Sequence, residues 1–136
     1  MKANELMLGD WVYGLYPDGS RYNSPFRISA VDTYPSNKSP WIVTAGGYGF
    51  QEEHLAPIPI TGEILEKNFQ EFLPGINLMY QLKGPYCAMN EDGQWVFGLV
   101  KVDGDNSARY PLVKISFVHE LQNALRLCGI KKEIEL

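Results

Sequence analysis

The sequence predicts an α+β, β-rich protein: an SH3-like small β-barrel over about residues 1–56, then an α+β unit over about 57–136. Three observations predict it. Trp, Tyr and Phe number 3, 8 and 6, and Gly and Pro 13 and 9, a mix that suits short strands and frequent turns better than a helical bundle. Four or five strand-sized apolar runs crowd the first part of the chain, cut by turn clusters at the spacing of a small barrel. Two segments of helical period bracket a second group of strands. Apolar residues at 45% and charged residues at 21% lie near the globular average and disfavour disorder.

Gly9-Asp10 reads as a turn, and Trp11, Val12 and Tyr13 open a strand that Pro17-Asp18-Gly19-Ser20 must end, since Pro and Gly two residues apart suit a type I turn. Phe26 to Val31 alternates apolar and polar up to Ala30, as a half-buried strand does. Trp41 to Ala45 is a further strand, bounded by Pro40 and Gly46-Gly47, and Phe50 to Leu55 closes the set. A closed barrel removes the exposed edges that so short a sheet would leave.

Ala56-Pro57-Ile58-Pro59-Ile60 marks the boundary, because its two prolines lack backbone donors and favour an extended path. Thr61 offers an N-cap, Glu63 suits the helix dipole, and Ile64, Leu65 and Phe69 give an apolar face. The expectation is a helix over about 61–71, ended by Pro74-Gly75. Antiparallel strands follow over about 77–117. Asn90-Glu91-Asp92-Gly93 is the strongest hairpin signal, as Asp-Gly suits a type I′ turn, and Asp103-Gly104-Asp105-Asn106 turns the chain again before a last long strand, Leu112 to Phe117. Val118, Leu121, Leu125 and Cys128 fall on one helical stripe, so a helix is expected over about 117–128 with Ser116 as N-cap and Gly129 as the left-handed residue beyond it. Glu133 to Leu136 reads as a short edge strand. The two halves are expected to pack as one compact unit, since a barrel of that size buries little core alone.

Three stretches, 3–13 (Ala-Asn-Glu-Leu-Met-Leu-Gly-Asp-Trp-Val-Tyr), 57–69 (Pro-Ile-Pro-Ile-Thr-Gly-Glu-Ile-Leu-Glu-Lys-Asn-Phe) and 118–130 (Val-His-Glu-Leu-Gln-Asn-Ala-Leu-Arg-Leu-Cys-Gly-Ile), together resemble a family of small uncharacterised proteins. These are encoded in gut-type anaerobic bacteria, often in prophage or other mobile-element regions. The family pattern places a Gly between the residues that stand here as Asn68 and Phe69. The resemblance brings no catalytic role to any residue. Gly9-Asp10 before the first strand also resembles the opening of KOW-type small barrels.

Charge and targeting narrow the function classes. The net charge is −4, with −3 over residues 1–70 and −1 over 71–136. Neither half is basic, so the usual footprint for nucleic acid or anionic lipid is missing. No apolar run is long enough to span a bilayer, and acids at Glu5 and Asp10 interrupt the start, which lacks a signal-peptide core. Cys87 and Cys128 have no CxxC partner and read as buried thiols of a cytoplasmic protein, although spacing leaves a disulfide between them open.

No motif carries chemistry. His119-Glu120-Leu121-Gln122-Asn123 approaches the zinc-protease pattern His-Glu-x-x-His, but Asn123 replaces the second imidazole. The simpler reading is an amphipathic helix whose polar face displays His119, Glu120, Gln122, Asn123 and Arg126. Ala45 to Phe50 is Gly-rich without a following Lys-Ser/Thr or helix signal, so it is a turn and not a phosphate loop. No Ser lies in a G-x-S-x-G elbow, and neither Cys has a local His. Asp103, Asp105 and Asn106 lack the spacing of a calcium loop. No catalytic residue, metal or cofactor is expected. An enzyme built on carboxylates alone stays as a third reading, because 16 acids always allow some pair.

The aromatics carry the positive expectation. Nine of them fall in the first 50 residues, more than a barrel that small can face inward. Exposed aromatic clusters mark protein contacts. The expected function is therefore a non-enzymatic protein-interaction or accessory module, engaging a protein partner or a second copy. Tyr34, Trp41 and Tyr48, beside Pro or Gly, are the candidate contacts, together with His119, Glu120, Gln122 and Arg126 of the last helix. A nucleic-acid-binding small barrel is the alternative, against a net −2 over residues 1–56.

Overall fold

The computed structural model describes residues 1–32, 40–72 and 79–136. The chain divides into two compact units, Met1–Ile58 and Pro59–Leu136. Each holds one five-stranded antiparallel sheet, and the two short helices lie in the second. The α+β, β-rich class is as the sequence predicts. No helix among the described residues is long and apolar enough to cross a membrane.

In the first unit a 3₁₀ turn (Ala3–Glu5) leads to β1 (Trp11–Gly14), β2 (Phe26–Asp32), β3 (Trp41–Thr44) and β4 (Gly49–Gln51). A second 3₁₀ turn (Glu52–His54) then runs directly into β5 (Leu55–Pro57). The sheet order is β4-β3-β2-β1-β5. Gly9, at φ 88°, makes the turn before β1, where the fully buried Asp10 accepts the Met7 N–H at 2.8 Å. Its carboxylate is thus a structural brace of the first turn. The core is Val12, Ile28, Ile42, Phe50 and Leu55, inward residues of the strands, joined by Ala3 and Leu6 of the first 3₁₀ turn and its C-cap.

The expected closed barrel is corrected to an open sheet: among the described residues no ladder joins the edge strands β4 and β5. Each has three residues, the 3₁₀ turn diverts the backbone between them, and Pro57 has no N–H to offer. The run Phe50 to Leu55 is accordingly two short strands and not one.

In the second unit Thr61 caps α1 (Gly62–Asn68) as expected, its Oγ1 accepting the Ile64 N–H at 3.2 Å. The helix stops earlier than the predicted 61–71, and Gln70–Glu71 forms β6 instead, paired with β7 (Met79–Lys83). Asn68 explains the early end. Its amide donates to the Ile64 carbonyl at 2.8 Å and to the Glu135 carbonyl at 2.7 Å, and its Oδ1 accepts the Glu135 N–H at 2.7 Å. The tail is held by that side chain, so the expected edge strand at 133–136 does not form. Ile134 is buried there.

β8 (Tyr86–Glu91) and β9 (Gln94–Asp103) meet at Asp92-Gly93, with φ 52° and 85°. These are the two positive torsions of the expected type I′ turn. β10 spans Asn106–Lys114, starting well before the expected Leu112, because Gly104-Asp105 closes a two-residue hairpin with β9. Trp95 is buried and packs on Tyr80, ring centroids 5.9 Å apart.

α2 (Val118–Leu127) begins with Phe117 at the N-cap and no side-chain cap. Ser116, expected in that role, instead donates its N–H to Glu120 at 3.4 Å. The other end follows the expectation: Gly129 has φ 71°, and Gly129 and Ile130 donate to the Arg126 and Leu125 carbonyls at 3.0 and 2.8 Å. That is a Schellman motif, closed by the buried pair Leu125 and Ile130.

Candidate functional site

The two sides of β1 differ in chemistry. One side carries Trp11 and Tyr13. Arg27, paired with Trp11 across the ladder, holds its guanidinium 5.5 Å above the Trp11 ring, and Arg21 sits 4.0 Å above Tyr13. The other side carries Val12 and Gly14, and the chain beyond folds back on itself to extend that side. Pro17-Asp18-Gly19 turns the backbone, with Gly19 at φ 86°, Tyr16 N–H donates to the Ser20 carbonyl, and Leu15 bridges to Arg21. Residues 14, 16 and 22 thereby share one face.

Five rings meet on that face. Tyr16 and Tyr22 stack at 3.9 Å with planes 14° apart. Tyr22 meets Phe26, Tyr48 and Phe50 edge-on at 5.4, 6.3 and 5.5 Å, and Phe26 lies 5.3 Å from both Tyr48 and Phe50. Gly14 is the floor. A Cβ there would stand 2.5 Å from Phe50 Cζ and 3.2 Å from Phe26 Cε2, so the rings occupy the space that a side chain would fill. Phe50 is buried, Tyr22 and Phe26 are half-buried, and the rim is open: Tyr16 is 44% exposed and Tyr48 54%. Ring pairs in these geometries hold one another in place without help from a ligand.

Asp18 lies in the same turn, two residues from Tyr16. The Ser20 hydroxyl and N–H both donate to its carboxylate, and these bonds, the hydroxyl's first, hold its carboxyl below the usual range. It is ionised at neutral pH.

The structure distributes the sequence candidates unevenly. Trp41 and Tyr48 are both exposed, but they do not come together. Trp41 lies on the Gly49 backbone, 3.2 Å from where a Cβ would be, on the face of β3 opposite the buried Ile42. Tyr48 joins the cluster around Phe50. Tyr34 lies outside the described residues. On α2 the displayed polar face needs correction. His119 and Gln122 are each 5% exposed, and His119 stacks on Phe117 at 5.9 Å. Only Glu120, Asn123 and Arg126 stay half-exposed, with Arg126 donating to Asn123 at 3.0 Å. The stripe of α2 that must be covered is wider than the apolar residues alone.

Tyr16, Tyr22 and Phe26 were not singled out by sequence reasoning. The signal was present in the Tyr-Pro-Asp-Gly-Ser turn, whose hairpin geometry places residues 16 and 22 diagonally on one face.

Other chemistry is sparse. Among the described residues no group of three His, Cys, Asp or Glu could hold a metal ion. An open depression lies beside Met1, Lys2, Glu5, Glu52 and Glu53. There Glu52 accepts the Ala3 N–H at 2.9 Å and faces Lys2 at 3.9 Å, which makes it a strap for the first 3₁₀ turn. Cys87 and Cys128 are free thiols. Compared with known proteins, the chain matches no family model, no curated protein and no solved structure.

Proposed function

We propose that the chain is a non-enzymatic protein-interaction module, an accessory component of the bacterial or mobile-element kind that its sequence resembles, and that Tyr16, Tyr22, Phe26 and Tyr48 are its contact surface. The observation that carries this reading is the aromatic cluster with an open rim. Contiguous exposed aromatic surface is costly in water and is characteristic of binding patches, where rigid rings give large contact area at little entropic cost. We read the first unit as SH3-like on two supports: the strand order β4-β3-β2-β1-β5 and the 3₁₀ turn leading into the last strand.

The test pairs light scattering of the full chain with affinity capture, comparing wild type with Tyr16→Ala and Tyr48→Ala. Both tyrosines are exposed, so the variants keep the wild-type circular dichroism. The reading requires that a self-associated species or a captured protein be lost in both variants. Association or capture that survives both substitutions sinks it.

A further inference from the structure

Resting on that reading, we infer that the cluster seats a cationic side chain of the partner, an arginine above all, on the open rings of Tyr16 and Tyr48 beside Asp18. The two sides of β1 supply the argument. On the first side each ring already carries a guanidinium from the same unit, Arg21 on Tyr13 and Arg27 on Trp11. The face of an aromatic ring is electron-rich and attracts such a cation. On the second side five rings gather and none of the described cations of the unit reaches them. Arg21 and Arg27 are committed to the opposite side, and Lys2 faces Glu52.

The turn that carries Tyr16 also holds a fixed negative charge, two residues further along the chain. Asp18 is exposed and kept ionised by Ser20, in a unit whose residues 1–56 sum to −2. Ring faces, a nearby carboxylate and, among the described residues, no resident cation together complement a guanidinium, whose flat, weakly hydrated surface stacks on tyrosine while its N–H groups reach a carboxylate. The Arg21–Tyr13 pair shows a guanidinium seated over a tyrosine ring within the same unit, 4.0 Å from ring centre to Cζ.

The experiment is a nuclear magnetic resonance titration of the full-length chain with two peptides, Gly-Ser-Gly-Arg-Gly-Ser-Gly and its citrulline counterpart. Citrulline keeps the shape of arginine and removes its charge. The arginine peptide is expected to shift the ring signals of Tyr16, Tyr22 and Tyr48 saturably, and about 3-fold more tightly than the citrulline peptide, the scale of an exposed cation–π contact. Asp18→Asn should weaken the arginine peptide alone, and added salt should do the same. Equal binding of the two peptides would overturn the cation inference and leave the interaction surface standing. If neither peptide shifts these rings, the inference fails, and the capture experiment decides the broader reading separately.

Discussion

Gly14 has no positive φ, so what holds it as glycine is space and not backbone conformation. The Phe50 and Phe26 rings stand where its Cβ would be, and a methyl group forced between them must move a ring off its packed position. Gly14→Ala is expected to cost ~1–3 kcal/mol, the usual penalty for overpacking, read as a lower midpoint in chemical denaturation. Gly14→Ala with Phe50→Leu should recover part of the loss, because the smaller side chain vacates the same volume. The two cysteines make a second contrast at this scale. Burial pushes the Cys87 thiol up to about 11, whereas Cys128 is half-buried beside Tyr86, whose hydroxyl is raised by their hydrogen bond. A thiol reagent at pH 8 should label Cys128 first and Cys87 only as the fold opens. The sign of the pH effect follows from the protons. The unfolded thiol releases its proton near the ordinary 9.0, and the folded one holds it to about 11. Stability from this group is therefore full below the lower value and declines as pH rises between the two. Denaturation at pH 8 and 10.5 should show a smaller loss in Cys87→Ala than in wild type.

Among the elements, β10 is an edge strand exposed along almost its whole length, with Tyr110, Leu112 and Val113 open to solvent. Such a strand invites pairing with another chain. Two features blunt it. The two-residue hairpin makes Asp103 and Asn106 a bonded pair, and the alternation of an antiparallel ladder continues through Lys101 with Ala108 and Leu99 with Tyr110. The backbones of Ser107, Arg109 and Pro111 therefore face the open edge, and Pro111 has no N–H there. The register then slips between Pro111 and Val113, a bulge that bends the strand away from a flat partner. Pro111→Val restores the donor, and at matched concentration it should raise the mean mass seen by light scattering above wild type. A variant with unchanged mass would show that the edge is guarded by something else. These strands also show what the sequence discloses. The Asp92-Gly93 turn, the Thr61 cap and the Gly129 stop are legible because a few adjacent residues decide them. The end of α1 is not, because it depends on Asn68 meeting a tail residue 67 positions away. Nor is the burial of His119 and Gln122, since helical period marks the apolar stripe but not how far its cover extends.

For the whole molecule the question is where charge lies and which strands meet. Barrel closure was beyond the sequence, as it turns on whether two three-residue strands pair across the sheet, a long-range matter that local propensity does not set. The aromatic excess was legible and its grouping was not: composition counts rings, while strand pairing and one tight turn decide which share a face. Net charge is the global property read most directly. With −4 overall and most described cations of the first unit already paired with rings or acids, binding to nucleic acid should be absent in a gel shift at low salt. Salt-sensitive micromolar retention of DNA or RNA would promote the small-barrel nucleic-acid reading over protein recognition. The placement of the three tryptophans has a further, optical consequence. Trp41 lies open on Gly49 at 41% exposure, while Trp95 is enclosed at 8% against Tyr80, so each unit carries its own fluorescent reporter. In a chain bearing Trp11→Phe and Trp41→Phe, emission should be blue-shifted and shielded from acrylamide until the second unit melts. In a chain bearing Trp95→Phe it should be red-shifted and quenched from the outset. The loss of structure in the second unit can then be followed from colour alone, without interference from the first.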